Sequence, residues 1–249
     1  MLVCIPSKGR PGTLLPSKLG SLPFLVFVEP QDQASYQAAG ISNLHVLPAN
    51  DQGISFVRNY ILDYARHHNH DWIWMMDDDV SDFGIAGSGK VATESADVVL
   101  SGFHEVASRY QFPVNGINYR QYAWACSKAS ARYRVNVKTA EVCTLLFIPK
   151  ITWEYRSRFN LKEDRDFCLQ AIKHSSGIFF DSYSCFNCPN VGTNAGGLQS
   201  EYALKQDHEA AIRFAREWHP YASVVKKAGR VDAKLDIKGL ALSLNRQVR

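Results

Sequence analysis

Three consecutive carboxylates, Asp77, Asp78 and Asp79, directly follow an apolar run over residues 71–76 that holds two tryptophans and two methionines. A run this apolar predicts a central strand, and the end of such a strand is where α/β folds bind ligands. Adjacent like charges repel, so they need a positive partner or full hydration. The usual partner there is a divalent cation with phosphates on its far side. The first acidic cluster (Asp77, Asp78 and Asp79) therefore predicts a metal and phosphate site, with a solvated acidic turn as the alternative.

A second group of carboxylates, Glu163, Asp164 and Asp166, lies at the predicted start of a helix. The helix dipole favours anions there, so a purely structural role stays open, with Asp166 as a cap. If one carboxylate faces the ligand crevice in its ionised form, it can take a proton from an acceptor hydroxyl. Asp164 is the preferred base and Glu163 is the alternative. A metal cluster combined with a base is what a sugar-nucleotide transferase requires.

Loops after other predicted strands could hold the rest of a nucleotide. The segment Pro6-Ser7-Lys8-Gly9-Arg10 offers backbone N–H groups and two cations, without the glycine spacing of a Walker loop. Glu29 could accept hydrogen bonds from a ribose or a uracil N–H, or it could merely end a strand. At the third helix, Gly53 lets the backbone approach a ligand, Ser55 is a plausible N-cap, and Arg58 can reach over the crevice.

The elements that must position these residues alternate along the first half of the chain. Apolar runs predict strands, and helical spacing of apolar residues predicts helices between them. The strands cover 2–6, 24–28, 44–47 and 71–76, and the helices cover about 13–19, 31–39 and 55–67. Strands separated by single helices imply right-handed crossovers and a parallel sheet, so their loops should line one crevice.

The second half of the chain has a looser pattern. Glycines predict a flexible loop over 83–89, and later strands are expected to be mixed or antiparallel. Those strands cover 114–117, 119–126, 133–137, 142–148 and 178–180, and helices are predicted over 95–110, 164–174 and 201–218. With 249 residues, 46% of them apolar, one large α/β domain is expected. We divide it into a nucleotide-binding half (1–80), a donor-sugar and acceptor half (81–230) and a basic tail (231–249).

Targeting signals are not recognisable in the sequence, which predicts a cytoplasmic protein (in the host cytoplasm if phage-encoded) with no membrane partner. The six cysteines are scattered, so we expect them to be reduced and mostly buried.

The net charge of +4 is unevenly distributed, which predicts an anionic partner. Residues 106–140 contain six basic side chains and no acidic one, and residues 213–249 contain nine basic and three acidic. Cations that neutralise phosphates alternate here with aromatic rings that could stack on bases. The alternative is a purely structural role, with the basic residues on an outer face and the aromatic residues in the core. The predicted DNA-binding residues are Arg120, Tyr122, Trp124, Lys128, Arg132, Arg134, Lys226, Lys227 and Arg230.

Taken in order, these motifs resemble the GT-A glycosyltransferases. The first acidic cluster resembles the DxD motif of that fold, and Glu163-Asp164 resembles its late acidic motif. The match narrows to the TET-associated glycosyltransferases, a group that includes phage DNA base glycosyltransferases and the base J glucosyltransferase. It rests on pieces spread over residues 2–230, namely Pro6-Ser7-Lys8-Gly9-Arg10, Val28-Glu29-Pro30, Gly53-Ile54-Ser55, Arg58-Asn59, Glu163-Asp164-Arg165-Asp166-Phe167 and Gly192-Thr193-Asn194-Ala195-Gly196-Gly197.

The resemblance implies a Rossmann-type nucleotide-sugar-binding sheet with a mixed C-terminal acceptor-binding half. It implies a metal-dependent enzyme that moves a sugar from a UDP-sugar onto the hydroxymethyl group of a 5-hydroxymethylpyrimidine in duplex DNA. The base would have to leave the stack to be reached. Rival interpretations are the same fold with a protein or polysaccharide acceptor, a non-catalytic DNA-binding module, and a nucleotidyltransferase. A monomer is expected, while the donor sugar, the choice of pyrimidine and the anomeric outcome stay open.

The resemblance also implies roles for individual residues. Asp79 and Asp77 would bind Mn²⁺ or Mg²⁺ with a late histidine, for which His208 and His219 are both candidates. Asp164 or Glu163 would be the catalytic base. The nucleotide-sugar site would comprise Pro6, Ser7, Lys8, Arg10, Glu29, Gly53, Ser55, Arg58, Asp77, Asp78, Asn194, Gly196 and Gly197.

Overall fold

A computed structural model describes residues 1–12, 16–129, 131–159, 161–189, 206–227 and 230–249. Part of the helix predicted over 13–19 lies outside these residues, and Pro16–Leu19 forms a single turn of 3-10 helix. Strands β1 to β10 form one mixed sheet with the order β3-β2-β1-β4-β9-β7-β10-β5-β6, and β8 pairs with β10. The predicted α/β class with a mixed second half is confirmed.

The first half of the chain builds the parallel side of the sheet. Its elements are β1 (Leu2–Pro6), β2 (Phe24–Val28), α1 (Gln33–Ala38), β3 (Leu44–Val46), α2 (Ile54–His67) and β4 (Trp72–Met76). Strands β1 and β2 have the predicted bounds, and β1 pairs in parallel with both β2 and β4. Alternate residues of β1 and β4 belong to two different core clusters. Because both faces of these strands are buried, their sequences are continuous apolar runs.

The second half of the chain continues the same sheet. Its elements are β5 (Asp82–Gly87), β6 (Lys90–Glu94), α3 (Gly102–Tyr110), β7 (Val114–Tyr119), α4 (Arg120–Ala129), β8 (Tyr133–Val135), β9 (Cys143–Phe147), α5 (Glu163–His174) and β10 (Ile178–Asn187). Strand β9 is antiparallel to both β4 and β7, and β7 is parallel to β10. Strands β1, β2, β4 and β7 therefore point the same way, and their carboxyl ends share one edge of the sheet.

The prediction of a flexible loop over 83–89 is wrong, because β5 and β6 form an antiparallel hairpin there. The glycines serve the hairpin itself. A Cβ added to Gly84 would lie 2.5 Å from the carbonyl oxygen of Ala92 on the neighbouring strand, so only glycine allows this close approach. Gly89 occupies the turn with φ +76°, a conformation that side-chain-bearing residues rarely adopt.

The strand predicted over 119–126 is also wrong, because only Tyr119 belongs to a strand and helix α4 follows it directly. The aromatic residues favour strands, but packing decides the outcome here. Ala123 is fully buried where α4 packs against β5 and β10, while Tyr122 and Trp124 remain exposed. The predicted DNA-binding aromatic residues therefore lie on a helix.

The C-terminal part of the chain packs against the sheet domain instead of extending from it. It comprises α6 (Gln206–Glu217), β11 (Ala222–Lys227), β12 (Arg230–Leu235) and α7 (Ile237–Ser243). Strands β11 and β12 form a hairpin, α6 packs against it, and Ile237, Leu240 and Ala241 are buried in the main core. All six cysteines are unpaired and four are buried, as expected. Among the described helices, none is long and apolar enough to span a membrane.

Candidate active site

The loops after β1 and β4 converge on Asp78, as their position at one sheet edge predicts. Ser7, directly after β1, donates a short hydrogen bond from its hydroxyl to the Asp78 carboxylate. Arg10 Nη2 lies 2.6 Å from Asp78 Oδ1. Pro6 is buried as the last residue of β1 and fixes the start of this loop. The segment predicted to hold the nucleotide therefore contacts the first acidic cluster directly.

Each carboxylate of the first acidic cluster has an arginine nearby. Arg58 Nη2 lies 2.9 Å from Asp77 Oδ1, and Arg10 Nη1 lies 3.9 Å from Asp79 Oδ2 in addition to its contact with Asp78. The repulsion among the three charges is therefore offset in part within the protein itself. The protein supplies two cations of its own, from the loop after β1 and from helix α2.

The three aspartates differ in their exposure. The Asp78 side chain is completely buried, whereas 30% of the Asp77 side chain and 24% of the Asp79 side chain are exposed. Burial raises the pKa of Asp78 from 3.8 to about 7, and the nearby Arg10 and Ser7 oppose this rise. Asp77 and Asp79 are thus the two members that can still contact a ligand, while Asp78 fastens the loop after β1 to the end of β4.

The two partly exposed carboxylates, Asp77 and Asp79, suit a cation whose remaining ligands come from a nucleotide. Mg²⁺ and similar ions commonly use one or two protein carboxylates, with substrate phosphates and water completing the shell. The described residues contain no group of three or more His, Cys, Asp or Glu side chains that could hold a metal alone. His208, predicted as a third ligand, is an exposed residue of α6 and is not grouped with Asp77 and Asp79.

A polar cluster surrounds Glu29 at the end of β2. Glu29 is buried, and its two carboxylate oxygens accept hydrogen bonds from Lys8 Nζ at 3.1 Å and from Gln31 Nε2 at 2.6 Å. Lys8 Nζ also lies 2.5 Å from Asp51 Oδ1. Glu29 and Lys8 therefore lie beside the crevice, where they hold the loop after β1 against the loop before α2.

The start of α2 differs in one detail from the prediction. Gly53 is the N-cap, with φ +81°, and Ser55 lies inside the helix without capping it. Ser55 is buried, and its hydroxyl lies 3.5 Å from the Arg156 carbonyl oxygen. The glycine gives the chain the left-handed turn that leads into α2, and this turn places Arg58 one turn inside the helix.

Arg58 joins the two acidic regions of the sequence. Its guanidinium is buried, with Nη2 at 2.9 Å from Asp77 and Nη1 at 3.4 Å from Glu163 Oε1. The guanidinium also lies over the Tyr155 ring, 5.5 Å from its centre. Residues that are separated by 86 positions in the sequence therefore share one cation at one site.

The acidic pair (Glu163 and Asp164) begins helix α5. Glu163 is buried and Asp164 is partly exposed. Burial raises the pKa of both carboxyls, and Arg58 opposes the rise in both. The carboxylate of Glu141 raises the pKa of Asp164 further. Asp164 is thus the member of the pair that a substrate can reach, and its proton affinity is higher than that of an ordinary aspartate.

Asp166 has a structural role, but that role is not capping. The N-cap of α5 is Lys162, whose side chain makes no capping hydrogen bond. The Asp166 carboxylate is completely buried, where it pairs with Arg156 and accepts a hydrogen bond from Trp218 Nε1 at 2.8 Å. It therefore fastens α5 to the segments on either side of it, and a role as base is excluded by its position.

Two of the predicted DNA-binding arginines form ion pairs inside the chain. Arg120 Nη1 lies 2.8 Å from Asp82 Oδ1, and Arg132 Nη2 lies 3.1 Å from Oδ2 of the buried Asp181. Their charges are largely balanced by these partners.

The other residues of this predicted surface are more open. Tyr122 and Trp124 are 52% and 47% exposed, and Lys128 Nζ lies 5.3 Å from the centre of the Trp124 ring. Arg134 is partly exposed on β8, and Lys226 is exposed on β11. The side chains of Lys227 and Arg230, and the predicted donor-sugar residues Asn194, Gly196 and Gly197, lie outside the described residues.

The sequence analysis missed two residues of the crevice. The Tyr36 hydroxyl lies 2.5 Å from Ser7 Oγ and accepts a hydrogen bond from the Arg10 backbone N–H at 3.0 Å. Glu141, just before β9, accepts a hydrogen bond from Arg165 Nε at 3.2 Å. Tyr36 looks like an ordinary apolar position of α1 in the sequence. Glu141 had one usable signal, since it is the first acidic residue after a long basic stretch.

Parallel strands that end in a basic loop and a carboxylate cluster form the kind of edge at which α/β sheets bind their ligands. The chain belongs to the TET-associated glycosyltransferase family, because the model of that family matches residues 1–197. It is therefore a glycosyltransferase, with a nucleotide-sugar donor and an acceptor. The search of curated proteins gave no match.

Solved structures with a remote likeness include two enzymes. One is a putative glucose-1-phosphate thymidylyltransferase from Bacillus anthracis in complex with sucrose. Its sequence is 11% identical, the match covers 83% of this chain and 96% of that chain, and the TM-score is 0.42. The other is a CMP:2-keto-3-deoxy-manno-octonic acid synthetase complexed with CTP. Its sequence is 11% identical, the match covers 87% of this chain and 98% of that chain, and the TM-score is 0.38.

Proposed function

We propose that this glycosyltransferase moves a sugar from a UDP-sugar onto the hydroxymethyl group of a 5-hydroxymethylpyrimidine in DNA, and that it requires Mn²⁺ or Mg²⁺. The observation that carries the proposal is the position of Arg58, whose guanidinium contacts both Asp77 and Glu163. A donor site at the first acidic cluster and a base in the acidic pair would therefore lie within one crevice, as transfer between two substrates requires.

The donor would lie along the carboxyl ends of β1, β2 and β4. Backbone N–H groups and the cations Lys8 and Arg10 would attract its diphosphate. Asp77 and Asp79, the open members of the first acidic cluster, would hold the metal ion. When bound, that ion would neutralise charge on the leaving diphosphate.

The acceptor hydroxyl would be activated by Asp164. The oxygen of the acceptor hydroxyl attacks the anomeric carbon of the sugar. The bond from that carbon to the diphosphate oxygen breaks, and UDP leaves with the electron pair. Asp164 takes the hydroxyl proton, because it is the partly exposed member of the acidic pair. Glu163 is buried against Arg58 and would hold that arginine in place.

Exposed aromatic residues support DNA as the acceptor. Tyr122 and Trp124 present large ring areas to solvent, and Lys128 lies against the Trp124 ring. Rings and cations in this arrangement suit bases and phosphates of a nucleic acid. The enzyme would act on DNA as a monomer in the cytoplasm, with the base extruded from the duplex to reach the crevice.

One observation favours a second candidate, a protein or polysaccharide acceptor. Arg120 and Arg132 are held in ion pairs with Asp82 and Asp181, which removes two cations from the predicted DNA surface. Salt-dependent binding of duplex DNA distinguishes the two acceptors, because phosphate contacts make affinity fall steeply with salt.

The direct test is to incubate the purified protein with Mn²⁺, a panel of UDP-sugars and duplex DNA that contains 5-hydroxymethylcytosine or 5-hydroxymethyluracil. Mass analysis of the digested DNA should show a sugar adduct on one of the two bases, and unmodified DNA serves as the control. Donor hydrolysis without any adduct, or transfer to a protein or glycan only, would reject DNA as the acceptor.

A further inference from the structure

A lysine lies among aromatic rings close to the crevice. The ammonium group of Lys138 lies 5.6 Å from the ring centre of Tyr119, 5.4 Å from that of Tyr122 and 5.0 Å from that of Phe180. It donates one hydrogen bond, to Asn118 Oδ1 at 2.7 Å. Rings on several sides attract the cation, and they also leave little room for the water that usually surrounds a lysine.

The sheet places this lysine beside the proposed site. Tyr119 ends β7 at the sheet edge where Asp77 follows β4, and only β9 separates the two strands. At the usual spacing of about 4.8 Å between neighbouring strands, the two strand ends are about 10 Å apart. Burial raises the pKa of Tyr119, and the charges of Glu141, Asp164 and Asp77 add to this effect. The Tyr119 side chain is therefore within range of the charges of both acidic groups.

Lys138 has hydrogen-bonding capacity that the described residues do not use. An ammonium group has three donors, and among the described residues only Asn118 accepts one. Burial lowers the pKa of Lys138, and the charge of Glu141 opposes this decrease. Two donors are thus available for an anionic or carbonyl oxygen of a ligand.

The neighbouring rings extend from the surface to the crevice. Tyr122 is 52% exposed on α4, and its ring meets the partly buried Tyr119 ring edge-on, with their centres 6.3 Å apart. Tyr119 in turn packs against Phe186 of β10, at 4.7 Å. Aromatic faces of this kind bind an unstacked base without selecting its sequence context.

We infer that Tyr119, Tyr122 and Lys138 form the pocket for the acceptor nucleotide. The extruded pyrimidine would lie against the two tyrosine rings, with its hydroxymethyl group directed at Asp164, and an oxygen of its phosphate would accept hydrogen bonds from the Lys138 ammonium. This inference rests on the proposed function and names the residues that recognise its acceptor. A neutral glycan would gain nothing from the cation.

The test is the kinetics of Lys138→Met on hydroxymethylated duplex DNA with a saturating UDP-sugar. Loss of a charged hydrogen bond should raise the KM for DNA about tenfold or more. The KM for the UDP-sugar and the affinity for UDP should not change. Because one phosphate contact is lost, the slope of log affinity for DNA against log salt should become shallower by about 0.9. Lys138→Arg should restore most of the affinity.

A matched control is available on the opposite edge of the sheet. Lys150, after the carboxyl end of the antiparallel strand β9, lies 5.9 Å from the centre of the Phe147 ring and donates a hydrogen bond to the Gln111 carbonyl oxygen at 2.8 Å. Lys150→Met removes a similar lysine and ring contact far from the crevice, so it should leave both KM values and the salt slope unchanged.

Three outcomes separate the possibilities. If the wild-type protein does not glycosylate DNA, the proposed function fails first. If it does, and Lys138→Met keeps the wild-type KM for DNA and the wild-type salt slope, the pocket is wrong while the proposed function stands. If Lys138→Met unfolds, Tyr122→Ala gives the answer, since an unchanged KM for DNA in that variant would also overturn the pocket.

Discussion

The first acidic cluster and the acidic pair share one arginine but hold their charges differently. Asp77 and Asp79 are partly exposed at a strand end, and Arg58 and Arg10 lie beside them. Glu163 is buried at a helix start, Asp164 is partly exposed beside it, and burial raises the pKa of both. The first arrangement leaves two partly exposed carboxylates that a cation can reach. The second favours carboxyls that exchange a proton near neutral pH.

The comparison teaches that neighbouring carboxylates in one crevice acquire different chemistry from their surroundings. Arg58 contacts a member of each group, so the difference does not come from the cation alone. It comes from the burial of Glu163, where Asp77 and Asp79 are partly exposed, and from Glu141, whose charge acts on Asp164.

Asp164→Asn should have the largest effect. Without a base, transfer to the acceptor should fall by about 10²- to 10⁴-fold, while the affinity for UDP should stay at the wild-type value. Glu163→Gln is the matched control, because it removes the buried neighbour and should cost less activity. For both variants, the rate of sugar transfer gives the activity, and titration with UDP gives the affinity. Full activity of Asp164→Asn with loss of activity in Glu163→Gln would exchange the two roles.

Arg58→Met should strongly destabilise the protein, because it leaves Asp77 and Glu163 without their shared cation. Removal of one partner from a buried ion pair lowers the free energy of unfolding by about 3–5 kcal/mol. Arg66→Met on the same helix is the control, since Arg66 pairs with the exposed Asp63 and the loss should stay below about 1 kcal/mol. Urea unfolding measures both variants. Equal losses would mean that Arg58 is not the link between the two acidic groups.

The pH dependence of stability should reflect the raised pKa values of the acidic pair. A carboxyl whose pKa is higher in the folded state binds more protons folded than unfolded, so stability falls as pH rises. The decline should begin near the unfolded values, about 3.9 for Asp and 4.3 for Glu, and continue up to the raised folded values. Glu163→Gln should make the decline of stability with rising pH less steep. Urea unfolding at several pH values tests this, and an unchanged slope in the variant would contradict the account of burial.

Asp232→Asn should have the smallest effect. Asp232 of β12 lies 2.9 Å from both Lys162 Nζ and Arg165 Nη1, so the C-terminal hairpin holds the two cations that flank the acidic pair. Loss of these partly exposed ion pairs should lower the free energy of unfolding by about 1 kcal/mol. It should also reduce the rate of transfer without changing the affinity for UDP. A reduced affinity for UDP would mean that the hairpin supports the donor side instead.

Reading the strands from the sequence worked well in the parallel half of the sheet, for a physical reason. Parallel strands buried on both faces are continuous apolar runs, so β1 and β2 were delimited to the residue, and the carboxylates after β4 could be placed at a sheet edge. It failed where packing overrides local preference. Gly84 suggested flexibility but lies in a strand against Ala92, and the aromatic residues after Tyr119 suggested a strand but form a helix.

Contacts between distant segments could not be read from the sequence. Nothing in the residues around Arg58 shows that its guanidinium reaches Glu163, and nothing near Asp78 shows that Arg10 and Ser7 contact it. From the sequence alone, a divalent cation or full hydration were therefore the recognisable ways to balance the charges of the first acidic cluster. The arginines that share this role come from two other elements, and only the folded chain brings them together.

The most direct test of the account is a crystal structure of the protein with UDP and Mn²⁺. We expect the diphosphate beside the loop that holds Arg10, with the metal ion on Asp79 and Asp77, and Asp164 across the crevice from it. A UDP molecule bound elsewhere, with Asp77 and Asp79 contacting only arginine and solvent, would contradict the central claim that the two acidic groups form one transferase site.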